Sequence, residues 1–150
     1  MRFLLLALFS AGVVALDQYT KYLTVANIAL HAEVEFIPGF LGFTFVKNTG
    51  AAFSSFEGQQ WLFALVFYEY SKKSMPFTTL ERFFIASIYA GGLGNMIDRV
   101  RLGYVVDMIE TKFMVFPVFN VADCFICCGC ILLLVHLLIW NKAFWKEEKK

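Results

Sequence analysis

The sequence predicts an all-α membrane protein with four transmembrane helices, a small β element on the outer face and an interfacial loop. Hydrophobic residues make up 59% of the 150 residues and the mean hydropathy is +0.66, which is too apolar for an ordinary soluble domain. Only 17% of the residues are charged, and the net charge of +1 argues against nucleic acid as a partner, because nucleic-acid-binding domains are strongly basic. The length predicts a single domain over 1–150.

Four apolar stretches give the predicted helices, since a spanning helix needs ~20 mostly apolar residues. The stretch over 124–140 meets this requirement at its lower edge, and the stretches over 3–16 and 83–97 meet it if each helix continues through its polar end. The stretch over 61–68 is short. The predicted helices therefore cover approximately 3–28, 58–71, 80–98 and 122–141.

The N-terminal stretch has two interpretations. Arg2, an apolar region and small residues fit a cleaved signal peptide. The polar residues 17–21, however, are followed by a further apolar run over 22–30, which favours one continuing, retained helix.

The distribution of Lys and Arg predicts that both termini lie in the cytoplasm. Four crossings would put eight of the 13 basic residues on the side of the termini and five on the other side. The eight are Arg2, Lys72, Lys73, Arg82, Lys142, Lys146, Lys149 and Lys150.

With this topology, polar residues from four separate segments converge at one membrane depth, toward the outer face. Because an isolated acid in a membrane is costly, we expect Asp123 to face these groups rather than lipid. The converging residues are Asp17 in the first helix, Lys47, Asn48 and Gly50 before the second, Asn95, Asp98 and Arg99 in the third, and Asn120 and Asp123 at the start of the fourth.

Two segments on the predicted outer face differ in composition from the helices. Aromatic and β-branched residues with a Pro38-Gly39 turn predict an outer β element over 34–56, made of a small strand pair. Apolar residues with a few charges predict that 103–120 is a flap loop at the membrane interface.

Asp107 and Asp123 are the candidate catalytic pair. Two carboxylates held close together do not both ionise easily, so one keeps its proton and the pair can activate a water molecule. One acid then acts as base on the water while the other donates a proton to the substrate carbonyl. The alternative is that each acid only forms a structural ion pair with Arg99, Arg101 or Lys112.

Other polar residues have competing interpretations. Asp17 and Lys21 are four residues apart and share a helix face, which favours a local ion pair with Lys21 as an interfacial anchor. Asp98 and Arg99 form a salt bridge at the helix end, or Arg99 orients a carboxylate or binds substrate carbonyls. The glycines at 91, 92 and 94 favour close helix packing.

The four cysteines and His136 do not predict a metal site. The cysteines lie within seven residues of one predicted helix, so they do not converge into a tetrahedral site or pair as disulfides, and packing is the favoured interpretation. His136 is interpreted as hydrogen-bonded packing. The sequence indicates no cofactor. The cysteines are Cys124, Cys127, Cys128 and Cys130.

Four blocks in order resemble the bacterial lipoprotein signal peptidases, also called signal peptidase II. They are DQYTK (17–21), VKNTGAAFS (46–54), GGLGNMIDRVRLGYVVDMI (91–109) and FNVAD (119–123). Members of this family are small inner-membrane aspartyl peptidases that cut the signal peptide from prolipoproteins just before the lipid-modified Cys. The second predicted helix is shorter than is usual in the family.

The resemblance implies specific roles for residues of this chain. Asp107 and Asp123 would be the catalytic dyad, and Asp98 would be structural. Substrates would be prolipoproteins with a diacylglyceryl anchor in membrane lipid, with no obligate protein partner. The residues implied to line or support the site are Asp17, Asn48, Gly50, Asn95, Arg99 and Asn120, and we place Lys21 with them.

Two other functions remain as alternatives. A small proton-coupled membrane transporter would use Asp17, Asp98 and Asp123 as a proton relay. Polar residues would then run through the whole membrane depth, whereas here they gather on one side. A non-catalytic assembly subunit would use the glycine-rich stretch and the cysteine-rich helix as packing surfaces.

Overall fold

Three helices and a three-stranded antiparallel sheet make up the computed structural model, which describes residues 2–50 and 77–141. The predicted second helix over 58–71 and the end of the predicted β element lie outside the described residues. The elements are α1 (Arg2–Asn27), β1 (Glu33–Ile37), β2 (Leu41–Asn48), α2 (Thr79–Leu102), β3 (Val105–Thr111) and α3 (Val121–Ile139). The helices α2 and α3 correspond to the third and fourth predicted helices.

Local sequence fixes both ends of α2. Thr78 Oγ1 accepts a hydrogen bond from the Glu81 backbone N–H, and Glu81 Oε2 accepts one from the Thr78 backbone N–H, which forms a capping box. Gly103 ends the helix in the left-handed conformation at φ +79°, and its N–H donates to Arg99 O. The observed helix therefore extends four residues beyond the predicted end at 98.

Glycines let α2 and α3 pack closely in antiparallel orientation. A Cβ on Gly91 would lie 2.5 Å from Ala122 O, and a Cβ on Gly129 would lie 2.8 Å from Ile88 Cγ1. Between these two contacts, Ser87 Oγ donates to Phe125 O at 2.9 Å. Small residues at the contact and one polar bond across it are the features that hold helices together where lipid surrounds them.

We expect Gly129→Ala to lower the free energy of unfolding by about 1–2 kcal/mol, because its Cβ would also lie 3.0 Å from the backbone oxygen of Phe84 and would push the helices apart. Thermal unfolding in detergent measures the change. Gly12→Ala in α1 is the matched control, because nothing lies within 4 Å of its Cβ position. Equal stability of the two variants would contradict this account of the packing.

The sheet order is β1-β2-β3, and β2 pairs antiparallel with both neighbours. Phe45, Val106 and Met108 form its buried core. The prediction of a loop over 103–120 is wrong for its first half, because Val105–Thr111 is strand β3. These residues are mainly apolar and β-branched, and they satisfy their backbone groups along the free edge of β2. An isolated bridge from Ile109 to Phe119 continues the pairing, and the residues between 111 and 119 are irregular.

A buried polar cluster joins the start of α2 to the end of α3. It lies opposite the side on which the sequence predicted that the polar residues gather. The Glu81 side chain is fully buried and both of its oxygens accept from Asn141 Nδ2 at 2.8 Å. The His136 Nδ1 atom also lies 2.8 Å from Glu81 Oε1. This contact agrees with the interpretation of His136 as a hydrogen-bonded packing residue.

Among the described helices, α3 alone is long and apolar enough to cross a membrane by length and composition, with a mean hydropathy of 2.5. The helices α1 and α2 are longer, at 26 and 24 residues, but they carry the charged side chains of the candidate site. Four transmembrane helices are therefore not established by these residues.

Candidate active site

Asp107 lies in the middle of β3, where strand pairing places its Cα opposite that of Val46. Its side chain is 3% exposed and accepts from Asn48 Nδ2 at 2.9 Å and from Asn120 Nδ2 at 2.6 Å. Burial raises the pKa of Asp107 to about 6; the two amide hydrogen bonds oppose this rise, and the nearby Asp123 adds to it. This carboxyl group therefore changes its protonation state close to neutral pH.

Asp123 lies in the first turn of α3, where a helix N-terminus favours negative charge. Its Oδ2 accepts from the Asn120 backbone N–H at 3.1 Å, and the Asn120 side chain accepts from the Asp123 backbone N–H at 3.0 Å. Its Oδ1 accepts from Asn95 Nδ2 at 2.8 Å. Asp123 is half-buried, so the capping box leaves part of this carboxylate accessible.

Asn120 links the two acids. Its Nδ2 donates to Asp107 Oδ1, its Oδ1 accepts from the backbone of Asp123, and its Nδ2 is also within 3.1 Å of Asn95 Oδ1. The residue is fully buried. Because one amide contacts both residues, their relative position is fixed by the start of α3 and the middle of β3.

Within residues 2–50 and 77–141, neither acid of the candidate pair forms an ion pair with a basic side chain. In the described part of the chain, Asp107 and Asp123 form no ion pair with Arg99, Arg101 or Lys112. Lys112 instead pairs with Glu33 and Glu110 on the outer sheet. The alternative in which both acids serve only as interface anchors is therefore wrong for these residues.

A second layer of charged residues lies behind the pair. Lys21 Nζ contacts Asp17 Oδ2 at 2.8 Å, Asp98 Oδ2 at 3.0 Å and Asn95 Oδ1 at 2.9 Å. The expected ion pair with Asp17 is present, but the prediction of Lys21 as an interfacial anchor is wrong, because its side chain is buried among these groups. Asp98 pairs with Lys21 rather than with the neighbouring Arg99.

Asp17 and Asp98, the two acids of this layer, each accept a hydrogen bond from the backbone of the residue directly before one acid of the candidate pair. Asp17 Oδ1 accepts from the Ala122 backbone N–H at 3.0 Å, and Asp98 Oδ2 accepts from the Val106 backbone N–H at 3.1 Å. The close approach of α2 is possible because Gly94 has no side chain; a Cβ there would lie 2.5 Å from Asp17 Oδ2.

Gln18 is a site residue that the sequence analysis missed. Its Nε2 donates to Asp98 Oδ1 at 2.8 Å and to Gly94 O at 3.2 Å. Gln18 lies inside the DQYTK block (17–21), and this block was the only feature of the sequence that pointed to it. A residue directly after Asp17 is rotated by about 100° around the helix, and its contact with α2 depends on the packing of the two helices.

Gly50 supports Asn48 from the backbone. Its N–H donates to Asn48 Oδ1 at 3.1 Å, which leaves the Asn48 amide nitrogen facing Asp107. Gly50 adopts φ +143°, a region that L side chains rarely occupy. The role of this glycine is therefore to orient an amide of the site.

Arg99 is the predicted site residue that the structure does not join to the others. Its side chain is half-exposed, and over residues 2–50 and 77–141 it makes no hydrogen bond or ion pair. It follows Asn95 by four residues on α2, so both lie on one face of the helix near the site.

No group of three or more His, Cys, Asp and Glu side chains within the described ranges is arranged to hold a metal ion. The four cysteines of α3 are free thiols, and Cys127 and Cys128 lie on the helix surface.

The comparisons with known proteins identify the family. The model of the family described as Signal peptidase (SPase) II matches residues 9–139. The lipoprotein signal peptidase of Enterococcus faecalis is 46% identical over 153 residues, covering 95% of this chain and 92% of that protein. The lipoprotein signal peptidase of Streptococcus pyogenes is 42% identical over 142 residues, covering 90% of this chain and 89% of that protein.

Solved structures support the same assignment. One bacterial membrane enzyme superposes with a TM-score of 0.81 at 32% identity, covering 97% of this chain and 93% of the other. A second bacterial membrane enzyme superposes with a TM-score of 0.76 at 33% identity, covering 91% of this chain and 94% of the other. The fold of the described residues is therefore that of a membrane enzyme.

Proposed function

Because this chain belongs to the signal peptidase II family and is a membrane peptidase, we propose that it removes the signal peptide from diacylglyceryl-modified prolipoproteins, with Asp107 and Asp123 as the catalytic dyad. Cleavage occurs just before the lipid-bearing Cys. The observation that carries the proposal is the pair of carboxylates from separate elements that share Asn120 and form no ion pair with a basic residue of the described ranges. The transporter alternative has no support from the comparisons.

The dyad works as a proton-sharing pair. Asp107 has a pKa raised to about 6 by burial, so it exchanges a proton near neutral pH. The ionised acid removes a proton from the attacking water, while the protonated acid donates one to the carbonyl oxygen of the scissile peptide. The same acids then return a proton to the leaving amine, so no covalent intermediate is required.

The remaining site residues hold the dyad and the substrate. Asn48, Asn95 and Asn120 donate to the two carboxylates and fix their orientation. Arg99 binds carbonyl groups of the substrate, because its side chain is half-exposed, follows Asn95 by one helical turn on α2 and offers several N–H donors. Asp17 and Lys21 support the dyad from behind.

Four transmembrane helices are proposed for the whole chain, which is an integral protein of the bacterial inner membrane. The site lies near the end of α1 and also near the end of α2, so the chain has to return across the membrane between them. The helix α3 then runs back from the site, because Asn120 and Asp123 are at its start. Both termini are thereby on the side opposite the site.

Both termini are assigned to the cytoplasmic side of the membrane. Eight of the 13 basic residues fall on the side of the termini, and basic residues accumulate in cytoplasmic segments. The dyad then opens to the outer face. A signal peptide that crosses the membrane with its lipid anchor in the outer leaflet presents its scissile bond at the same depth.

The test is cleavage of a diacylglyceryl-modified prolipoprotein by the purified protein in lipid-containing micelles. We expect mass spectrometry to find a product that begins at the lipid-bearing Cys. An unmodified precursor of the same sequence is the control, and we expect it to be cleaved at least about a hundredfold more slowly, because binding energy from the anchor helps to position the scissile bond. Equal cleavage of both precursors would contradict the proposed substrate class.

A further inference from the structure

We propose that Lys21 positions both carboxylates of the dyad and favours the ionised state of Asp107, through three contacts that each lead to the dyad. The inference rests on the proposed function, because the dyad is part of that proposal. It gives Lys21 a defined role as a positioning residue that does not itself touch the substrate.

The Lys21 ammonium is fully used inside the protein. Its side chain is 3% exposed, and its three N–H donors have three acceptors within 3.0 Å, on Asp17, Asn95 and Asp98. An ammonium group has no further donor, so it cannot bind a substrate without losing one of these contacts. Its effect on the reaction therefore passes through the three residues that it contacts and through the electric field of its charge.

The first contact orients an amide. Because Lys21 donates to Asn95 Oδ1 at 2.9 Å, the amide oxygen of Asn95 faces the ammonium and its nitrogen faces the other way. That nitrogen donates to Asp123 Oδ1 at 2.8 Å. Without the ammonium, only the Asn120 amide at 3.1 Å would hold the Asn95 oxygen in this direction, and rotation of the Asn95 amide would replace its hydrogen bond to the Asp123 carboxylate with a repulsion.

The second and third contacts hold backbone next to the dyad. Asp17, held by Lys21, accepts from the N–H of Ala122, the residue before Asp123. Asp98, also held by Lys21, accepts from the N–H of Val106, the residue before Asp107. One ammonium therefore ties α1 to the start of α3 and to β3, which carry the two dyad acids.

The charge of Lys21 also matters. Asp17 on α1, Asp98 on α2, Asp107 on β3 and Asp123 on α3 are the acidic groups that meet here, and Lys21 is the basic one in contact with them over the described residues. The positive charge of Lys21 lowers the pKa of Asp107 against the effect of burial. Without it, Asp107 would keep its two amide donors but the charge of Asp123 would no longer be opposed by that of Lys21, so ionisation of Asp107 would require a higher pH.

The test compares Lys21→Met with wild type, at equal amounts of folded protein. Methionine keeps most of the side-chain length without the charge. We expect kcat for prolipoprotein cleavage to fall on the order of a hundredfold, since small displacements of reacting groups have effects of that size, with KM little changed. We also expect the acid limb of the kcat profile to move up by about one pH unit. Lys112→Met is the matched control, because it removes a positive charge that pairs with Glu33 and Glu110 on the outer sheet and not with the acids around Lys21.

A second readout needs no cleavage, so it separates this proposal from the proposed function. The carboxyl band of Asp107, identified by its loss in Asp107→Asn, is titrated by infrared spectroscopy in wild type and Lys21→Met. An upward shift of its midpoint supports the proposal even if the wild-type protein cleaves no prolipoprotein, in which case the proposed function alone fails. An unchanged midpoint overturns the proposal, and so does an unchanged kcat in a wild-type enzyme that cleaves.

If Lys21→Met does not fold, the double variant Lys21→Met/Asp98→Asn is used instead. It loses one positive and one negative charge, so the buried cluster keeps its wild-type net charge. It is compared with Asp98→Asn alone. A lower kcat in the folded double variant supports the positioning role, because Asn95 has lost its ammonium in that variant only. Equal kcat in the two variants overturns it.

Discussion

Replacing Asp107 or Asp123 by Asn is expected to abolish prolipoprotein cleavage, with kcat falling on the order of ten-thousandfold or more while the protein still inserts and folds. Each substitution keeps the size of the side chain but removes the group that accepts or returns a proton. The two effects should not add in the double variant, because the acids act as one unit. Single-turnover cleavage of the lipid-modified precursor measures the loss.

Asp107→Asn is expected to keep or raise the stability of the folded protein at pH 7, although it abolishes cleavage. The folded-state pKa of Asp107 is raised from 3.8 to about 6, so the folded protein binds more protons than the unfolded protein between these values. Stability from this group is therefore fully present below pH ~4 and is lost as the pH rises through ~6. At pH 7 the buried ionised carboxylate is a cost that the Asn variant lacks. We expect its melting temperature at pH 7 to equal or exceed that of wild type.

Glu35→Gln is the control for both dyad variants, because Glu35 is an exposed acid of β1 whose one hydrogen bond within the described ranges comes from the Gly39 N–H at the turn. Its activity should match that of wild type. Substantial cleavage by either dyad variant would remove that acid from the catalytic assignment, and loss of folding in Asp107→Asn would contradict the stability argument.

Asn120→Ala is expected to lower kcat on the order of a hundredfold and the free energy of unfolding by about 2 kcal/mol. The alanine removes the donor to Asp107 at 2.6 Å and the acceptor for the backbone N–H of Asp123. Both the position of the dyad and the cap of α3 are lost together. Cleavage kinetics and thermal unfolding in detergent measure the two effects.

Thr78→Ala separates the loss of a helix cap from the loss of dyad positioning. Thr78 caps α2 in the same capping-box arrangement but does not contact the dyad. It should reduce stability by about 1 kcal/mol and leave kcat per folded molecule unchanged. If Asn120→Ala lost stability but kept wild-type kcat, Asn120 would be only a cap, and the shared amide would have no part in catalysis.

The sequence predicted the residues of the site better than the elements that carry them. Asp17, Asn95 and Asn120 lie on helices whose apolar patterns are long, so their depth followed from counting residues along each helix. The chemistry of two close carboxylates and the family resemblance together predicted the pairing of Asp107 with Asp123. The contact between the two residues and Asn120 is present in the structure, and the catalytic roles remain predictions.

Strand β3 and the environment of Lys21 could not be predicted in the same way. The apolar content of 103–120 suggested an interfacial loop, and only the free edge of β2 makes a strand of Val105–Thr111. Lys21 looked like a surface anchor because the sequence shows only Asp17 beside it. Its other partners come from α2, about 75 residues away. Long-range packing decides both cases, and local pattern carries no information about it.

The hydrogen bond from the Ala122 N–H to Asp17 Oδ1 spans 105 residues, and it has a consequence for biogenesis. Asp123 lies on α3, the last described helix, whereas Asp17 and Lys21 lie on the first. During synthesis, the early segments emerge first and wait for the late ones. The proposed proteolytic centre is therefore incomplete until α3 has been made, and a chain that stops before α3 is expected to have no peptidase activity.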